Sequence, residues 1–194
     1  MSQAEKKGLL VIISGPSGVG KGAISNELMH RNPQYAYSVS ATTRPPRFGE
    51  VDGINYYFVS KKQFLQMKDN NEFLEWAEVY DNFYGTPCKA VEKLLMKDKK
   101  VILELDTQGA MQVKSACPEG IFIFVLPPSL AELRRRITAR KTDDPESIEH
   151  RLSCAENEIK MADQYDYTVI NDELETAAIK IEEIIQQELE KYQR

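Results

Sequence analysis

The chain has 194 residues, enough for one well-buried domain with inserted subdomains and too few for two large ones. Hydrophobic residues make up 42% and charged residues 28%, and the net charge of -5 excludes a bulk electrostatic footprint for nucleic acid or an anionic membrane. Cys88, Cys117 and Cys154 are widely spaced, without histidine at metal-ligand spacing, and read as reduced; the polar N-terminus lacks a signal peptide's apolar run and no segment reaches spanning length, so a cytoplasmic protein is expected.

In chain order, the apolar run Leu9-Leu10-Val11-Ile12-Ile13 opens directly into Ser14-Gly15-Pro16-Ser17-Gly18-Val19-Gly20-Lys21-Gly22, and Ala23, Ile24, Leu28 and Met29 predict a helix behind it. Strand, glycine-rich loop and helix in this order form a nucleotide phosphate cradle. Glycines at 15, 18 and 20 let backbone N–H groups converge on an anion, and Lys21 supplies a fixed positive charge for a β- or γ-phosphate. Gly22 stands where P-loops normally place the Ser or Thr that holds magnesium, and Ala23 also lacks a hydroxyl. The cation must then be held by phosphates, waters and some other group.

From about 35 to 86 the rhythm changes to β-rich alternation at 37–43, 56–59 and 73–80, which predicts an inserted antiparallel subdomain. Within it, Thr43-Arg44-Pro45-Pro46-Arg47 sets two guanidinium groups about a stiff proline pair, a fork suited to a phosphate, with Tyr56, Tyr57 and Tyr84 as further donors. The apolar runs 101–106, 121–126 and 167–171 read as strands buried on both faces, with helical patterns through Ala90, Val91, Leu94 and Leu95 before the first and through Leu130, Leu133 and Ile137 after the second. A last helical pattern runs from Ala177 to Leu189. The alternation predicts a parallel sheet flanked by helices, with ligands at the carboxyl ends of its strands.

Glu104-Leu105-Asp106 ends such a strand, and alternation sends both acids to one face of the ligand crevice, where a magnesium-organising acid is expected; Asp106 has the alternative of capping a helix that begins near Thr107. The stretch 127–161 is mostly helical and dense in arginine. Arg134 and Arg135 read as surface ion-pair partners, whereas Arg136, Arg140 and Arg151 are candidates for mobile arginines that neutralise a transferring phosphoryl group.

These residues together resemble the guanylate kinase family, bacterial type, over essentially the whole chain. Besides residues 14–22, the resemblance is carried by Ser38-Val39-Ser40-Ala41-Thr42-Thr43-Arg44-Pro45-Pro46-Arg47, Gly49-Glu50 and Gly53-Ile54-Asn55-Tyr56-Tyr57-Phe58-Val59. It continues through Asn71-Glu72-Phe73-Leu74-Glu75-Trp76-Ala77, Asn82-Phe83-Tyr84-Gly85-Thr86, Glu104-Leu105-Asp106-Thr107-Gln108-Gly109, Pro127-Pro128-Ser129 and Arg151-Leu152. Lys141-Thr142 stands where the family usually has Gly-Thr.

The resemblance implies an α/β fold with a P-loop nucleoside monophosphate kinase core at 8–34, 87–126 and 162–194, a mixed β-rich GMP-binding subdomain at 35–86 and a helical lid at about 127–161. It implies reversible transfer of the ATP γ-phosphoryl group to GMP or dGMP, with magnesium held mainly by phosphates and water. Arg44, Arg47, Tyr56 and Tyr84 would bind the GMP phosphate, and Ser40, Glu75 and Thr86 would read guanine. Guanine's N1–H and N2–H₂ donors suit one carboxylate, Glu75, and hydroxyls at Ser40 and Thr86 can donate to O6.

By the same resemblance, Lys21, Arg44, Arg136, Arg140 and Arg151 would surround the transferring group, with Asp106 and Glu104 orienting magnesium waters or an arginine and Asn171 near adenine. No nucleic-acid or membrane partner is expected, and the oligomeric state is left open. The alternative is a non-catalytic interaction module of the same fold, which usually loses the loop lysine or glycines. Here Lys21 and those glycines are intact.

Overall fold

A computed structural model describes residues 8–79, 81–139 and 145–192. The elements are β1 (Leu9–Ser14), α1 (Lys21–Arg31), β2 (Tyr35–Tyr37), β3 (Ala41–Thr42), β4 (Tyr57–Phe58), α2 (Lys61–Asp69), β5 (Phe73–Val79) and β6 (Asn82–Pro87). They continue with α3 (Cys88–Leu95), β7 (Lys100–Glu104), α4 (Thr107–Ala116), β8 (Ile121–Leu126), α5 (Leu130–Ala139), α6 (Pro145–Ile159), β9 (Tyr167–Ile170) and α7 (Leu174–Tyr192).

The apolar runs form a five-stranded parallel sheet in the order β2-β7-β1-β8-β9. β1 is central and buried along its whole length, because helices cover both of its faces. Period-two alternation divides its side chains. Val11 and Ile13 pack with Ile24 and Leu28 of α1 and Ile181 and Ile185 of α7, while Leu10 and Ile12 pack with Val91 and Leu95 of α3 and Val113 of α4. Parallel register sets Ile13 beside Glu104 and Ser14 beside Phe124, so the phosphate-loop sequence and the strand-end acid leave the sheet at one edge.

A second sheet has the order β4-β3-β6-β5. β3–β6 and β5–β6 are antiparallel, as expected, but β3–β4 is parallel, so the sheet is mixed. The alternating stretch 37–43 is not one strand. β2 joins the core sheet beside β7 and buries Tyr35 in the core, and the chain crosses at 38–40 to begin β3 in the second sheet. The core sheet thus runs to Tyr37, past the boundary expected at 35. Alternation reports burial on one side of a strand and carries no information on which sheet supplies the partner.

Between the two sheet segments lies α2, which starts at a capping box. Gln63 N–H donates to Ser60 Oγ at 3.2 Å, and Ser60 N–H donates to Gln63 Oε1 at 2.9 Å. Its buried Phe64 stacks on Phe73 and Phe83, with ring centroids 4.4 and 5.4 Å apart, which fastens α2 to the second sheet. Helices α5 and α6 pack through Leu133, Ile137, Leu152 and Ala155. Arg134 pairs with Glu149, and Arg135 donates to Glu132, the surface roles read for these two arginines. No helix among the described residues is long and apolar enough to cross a membrane.

Candidate active site

The loop between β1 and α1 is shaped by residues that only glycine can satisfy. Gly18 and Gly20 have φ of +87° and +101°, and a Cβ on Gly20 would stand 2.6 Å from Asn171 Nδ2. Gly20 caps α1 without a side-chain hydrogen bond, so the first N–H groups of the helix are left to an anion. Lys21 Nζ lies on the loop itself, donating to Gly15 O at 2.5 Å and Pro16 O at 3.3 Å. Position 22 faces the acid at the end of β7: a Cβ there would lie 3.5 Å from Glu104 Oε2.

Burial raises the Glu104 carboxyl above its ordinary range, and Ser25 and Lys21 oppose that shift. Ser25 Oγ is buried and falls short of hydrogen-bond geometry, so its influence is that of a nearby dipole. Asp106 is not on the strand. β7 ends at Glu104, and Asp106 is the N-cap of α4, its Oδ1 accepting from Gly109 N–H at 2.7 Å. The strand thus stops two residues short of the expected 106, although the Leu105 N–H still donates to Ile13 O and the Asp106 backbone stays extended, and the capping role is the one its hydrogen bond shows.

In the second sheet, Glu75 of β5 and Thr86 of β6 are direct cross-strand partners, only 7% and 1% exposed. Thr86 Oγ1 donates to Glu75 Oε1 at 2.6 Å. Burial raises the Glu75 carboxyl, the Thr86 bond opposes that, and Asp106 adds to it. The single hydroxyl proton of Thr86 is directed at Glu75 in this structure, and its oxygen keeps acceptor capacity. Ser40 precedes Ala41, whose β6 partner Gly85 precedes Thr86, and antiparallel pairing brings it level with that pair. Gly109 joins the two halves, since a Cβ there would lie 3.2 Å from Glu75 Oε2 and 3.4 Å from Asp106 Oδ1.

The arginine fork is held by a residue that the sequence reading quoted but gave no role. Arg44 donates through Nη1 and Nη2 to the two Glu50 oxygens at 2.9 Å each, and Arg47 N–H donates to Glu50 Oε2 at 2.6 Å. Arg44 also lies 5.6 Å from the Tyr56 ring centroid, and Tyr56 meets Tyr84 edge to face at 6.1 Å. The Arg47 residue is exposed. A carboxylate six residues after Arg44, beyond a proline-stiffened turn, was the available signal.

Residues of the α5–α6 pair also reach the loop. Arg151 of α6 donates to Ser17 Oγ at 2.7 Å. Arg136 of α5 donates from Nε to Glu132 at 2.8 Å, from Nη1 to Asn171 O at 2.9 Å and from Nη2 to Asp172 O at 3.2 Å, so it lies on the turn after β9. Arg140 and Lys141 lie outside the described residues. Asn171 is buried, and its Nδ2 donates to Val19 O at 2.7 Å. One acid was missed altogether. Glu158, two turns beyond Arg151, carries a buried oxygen without a hydrogen-bond partner, and its carboxyl is raised by burial against the opposing pull of Lys21.

A parallel sheet with a glycine-lysine loop at its carboxyl edge, an arginine-bearing helical pair over that loop and a second sheet facing it define a P-loop kinase of the nucleoside monophosphate class. The family model described as guanylate kinase matches residues 7–188. A guanylate kinase of Clostridioides difficile is 55% identical over 97% of this chain and 92% of its own length, and one of Carboxydothermus hydrogenoformans is 52% identical over 92% and 88%. The crystal structure of guanylate kinase from Anaplasma phagocytophilum superposes with a TM-score of 0.74 at 34% identity, covering 96% of this chain and 89% of that one. The chain belongs to the guanylate kinase family, and it is an enzyme of the phosphotransferase type.

Proposed function

We propose that this enzyme transfers the γ-phosphoryl group of ATP reversibly to GMP and dGMP, giving ADP and the nucleoside diphosphate, within purine nucleotide metabolism and GMP recycling in the cytoplasm. The observation that carries the acceptor is the buried Glu75–Thr86 pair. A carboxylate with one oxygen committed to Thr86 can accept guanine N1–H and N2–H₂ with the rest of its capacity, whereas adenine offers no such donor pair. A buried site of this kind rejects the wrong base by roughly 10⁴-fold, because mismatched polar groups stay unpaired.

In this reading residues 35–86 form the acceptor-binding subdomain and 127–161 the lid. Gly15, Pro16, Ser17, Gly18, Val19, Gly20, Lys21 and Gly22 cradle the donor phosphates, with Asn171 beside adenine. Arg44, Arg47, Tyr56 and Tyr84 hold the GMP phosphate; Ser40, Glu75 and Thr86 hold the base. Lys21, Arg44, Arg136, Arg140 and Arg151 offset the charge of the transferring group, and the lid arginines close on it and exclude water. The acceptor is already a phosphate oxygen, so positioning and charge neutralisation suffice without a strong general base.

Magnesium, when bound, neutralises the donor phosphates. With no hydroxyl at 22 or 23, phosphates and water hold it, and Glu104, whose Oε2 stands over Gly22, is the carboxylate placed to order that water. Asp106 caps α4 two residues further on.

A coupled assay of ADP release with ATP and magnesium tests the assignment. GMP and dGMP should raise turnover far above AMP, UMP or no acceptor. Equal rates with AMP and GMP would remove the base reading, and no stimulation by any acceptor would remove the transfer reading.

A further inference from the structure

The peptide between Val19 and Gly20 lies in the phosphate loop, and its carbonyl is engaged in a buried polar contact. Asn171 Nδ2 donates to Val19 O at 2.7 Å, and Arg136 Nη1 stands 3.4 Å from the same oxygen. No peptide bond among the described residues is cis, so the Gly20 N–H points opposite to the Val19 carbonyl. Whatever fixes that carbonyl therefore also fixes the direction of the Gly20 N–H on the other side of the peptide. The contact is close enough that position 20 admits no side chain, a Cβ there meeting Asn171 Nδ2 at 2.6 Å.

Asn171 is itself fixed from two directions. Its N–H donates to Leu126 O at 2.8 Å, extending the β8–β9 ladder by one residue, and its carbonyl accepts from Arg136 Nη1 at 2.9 Å. One side chain thus connects the end of β9, the lid helix α5 and the phosphate loop.

We infer that Asn171 is a positioning residue of the phosphate loop, holding the Val19–Gly20 peptide so that the Gly20 N–H donates to the donor polyphosphate, whatever base that donor carries. This rests on the reading of the loop as the donor cradle and adds to the adenine contact proposed for Asn171. An amide suits the task because Nδ2 supplies a proton to the carbonyl while Oδ1 stays available to a nucleotide. An aspartate of the same shape would set oxygen against oxygen.

Calorimetric titration with magnesium and either inorganic triphosphate or ATP separates the two roles. Asn171→Ala should weaken inorganic triphosphate about tenfold, as expected for one lost buried hydrogen bond, and ATP by at least that factor, the base contact adding to it, with GMP binding unchanged. Asn171→Ser, which keeps a donor in a smaller side chain, should recover part of the loss for both. A loss confined to ATP would reduce Asn171 to a base contact. A lower Tm with both affinities intact would make it merely structural, and either result overturns the inference.

The wild-type protein supplies a check independent of any variant's folding. Inorganic triphosphate should move the Gly20 backbone amide proton downfield, and an unmoved Gly20 amide in a saturated sample overturns the inference even if the cradle reading stands. Failure of the wild-type protein to bind triphosphate or ATP would instead overturn the cradle reading, and the inference with it.

Discussion

Thr86 gives its hydroxyl proton to Glu75 across the β5–β6 pair, at 2.6 Å, inside a part of the second sheet where neither side chain meets solvent appreciably. Burial pushes the Glu75 carboxyl up and this bond holds it down. Thr86→Val keeps the shape and removes the donor, so the carboxyl should rise further. GMP affinity at neutral pH should fall about tenfold, and its decline on acidification should begin at a higher pH than in wild type. Titration calorimetry of GMP across pH 5 to 8 checks this; superimposable pH profiles would count against the Thr86 role.

The same carboxylate costs the fold stability. Glu75 is raised in the folded state, so its unfavourable effect is absent below the ordinary glutamate pKa of about 4.3 and grows as pH rises through the folded value. Glu75→Gln removes the charge while leaving an oxygen for the Thr86 proton. It should melt at a higher temperature than wild type at pH 8, with the difference closing as pH falls towards 4, while GMP binding is largely lost and ATP binding is kept. Thermal melts at several pH values test the stability claim, and a Tm below wild type at pH 8 would contradict it.

Glu50 accepts from both Arg44 and the Arg47 N–H, which lowers its own carboxyl through the Arg44 bond first and the Arg47 bond second. It holds the proline-stiffened turn in the shape that presents the fork. Glu50→Ala should therefore raise the GMP KM about tenfold, the scale of one charge-assisted contact, with the ATP KM unchanged. Initial-rate measurements with each substrate varied in turn decide this, and equal rises in both KM values would show a general loosening instead.

Lys21 is held by carbonyls of its own loop, Gly15 O and Pro16 O, so its replacement should disturb chemistry more than folding. Lys21→Ala should lower the transfer rate by about 10³-fold or more while Tm stays near wild type. Single-turnover rates paired with melts test it. A comparable collapse of Tm would assign Lys21 to the structure of the loop.

The parts of this molecule that the sequence announces are those with one physical explanation. The runs at 9–13 and 121–126 are apolar on every residue because helices cover both sheet faces, and the glycines at 18 and 20 mark positive φ. Where two geometries share one pattern, the sequence is ambiguous. Alternation through 37–43 conceals a change of sheet at 38–40, and α2 has few apolar positions, its clearest signal being the Ser60-Gln63 capping box rather than periodicity. Thr86 was legible as a hydroxyl in the site, but the direction of its proton was not, since that depends on the cross-strand register that places Glu75 opposite. Arg136 was legible as one arginine of a helical stretch dense in arginine, yet its position on the Asn171 and Asp172 carbonyls depends on a turn 35 residues away.

Asp106 caps α4, and a pair of substitutions separates that cap from the charge role proposed for it. Its Oδ1 caps α4 through Gly109 N–H, and its charge lies near Glu75. Asparagine caps a helix about as well as aspartate, so Asp106→Asn should keep the α4 start, and with it the placement of Gly109 against Glu75, while deleting the charge. Asp106→Ala deletes both. Loss of the cap should cost about 1 kcal/mol and lower Tm by about 2–4 °C for a chain of this length, in the alanine variant only. If the charge orients magnesium waters or an arginine around the transferring group, both variants should lose turnover by about 10²-fold or more. If Asp106 is only a cap, the asparagine variant should turn over like wild type and the alanine variant should lose GMP affinity through Glu75. Melts and initial rates measured on the same two proteins distinguish these outcomes, because the charge role predicts a catalytic loss without a stability loss in Asp106→Asn and the cap role predicts neither.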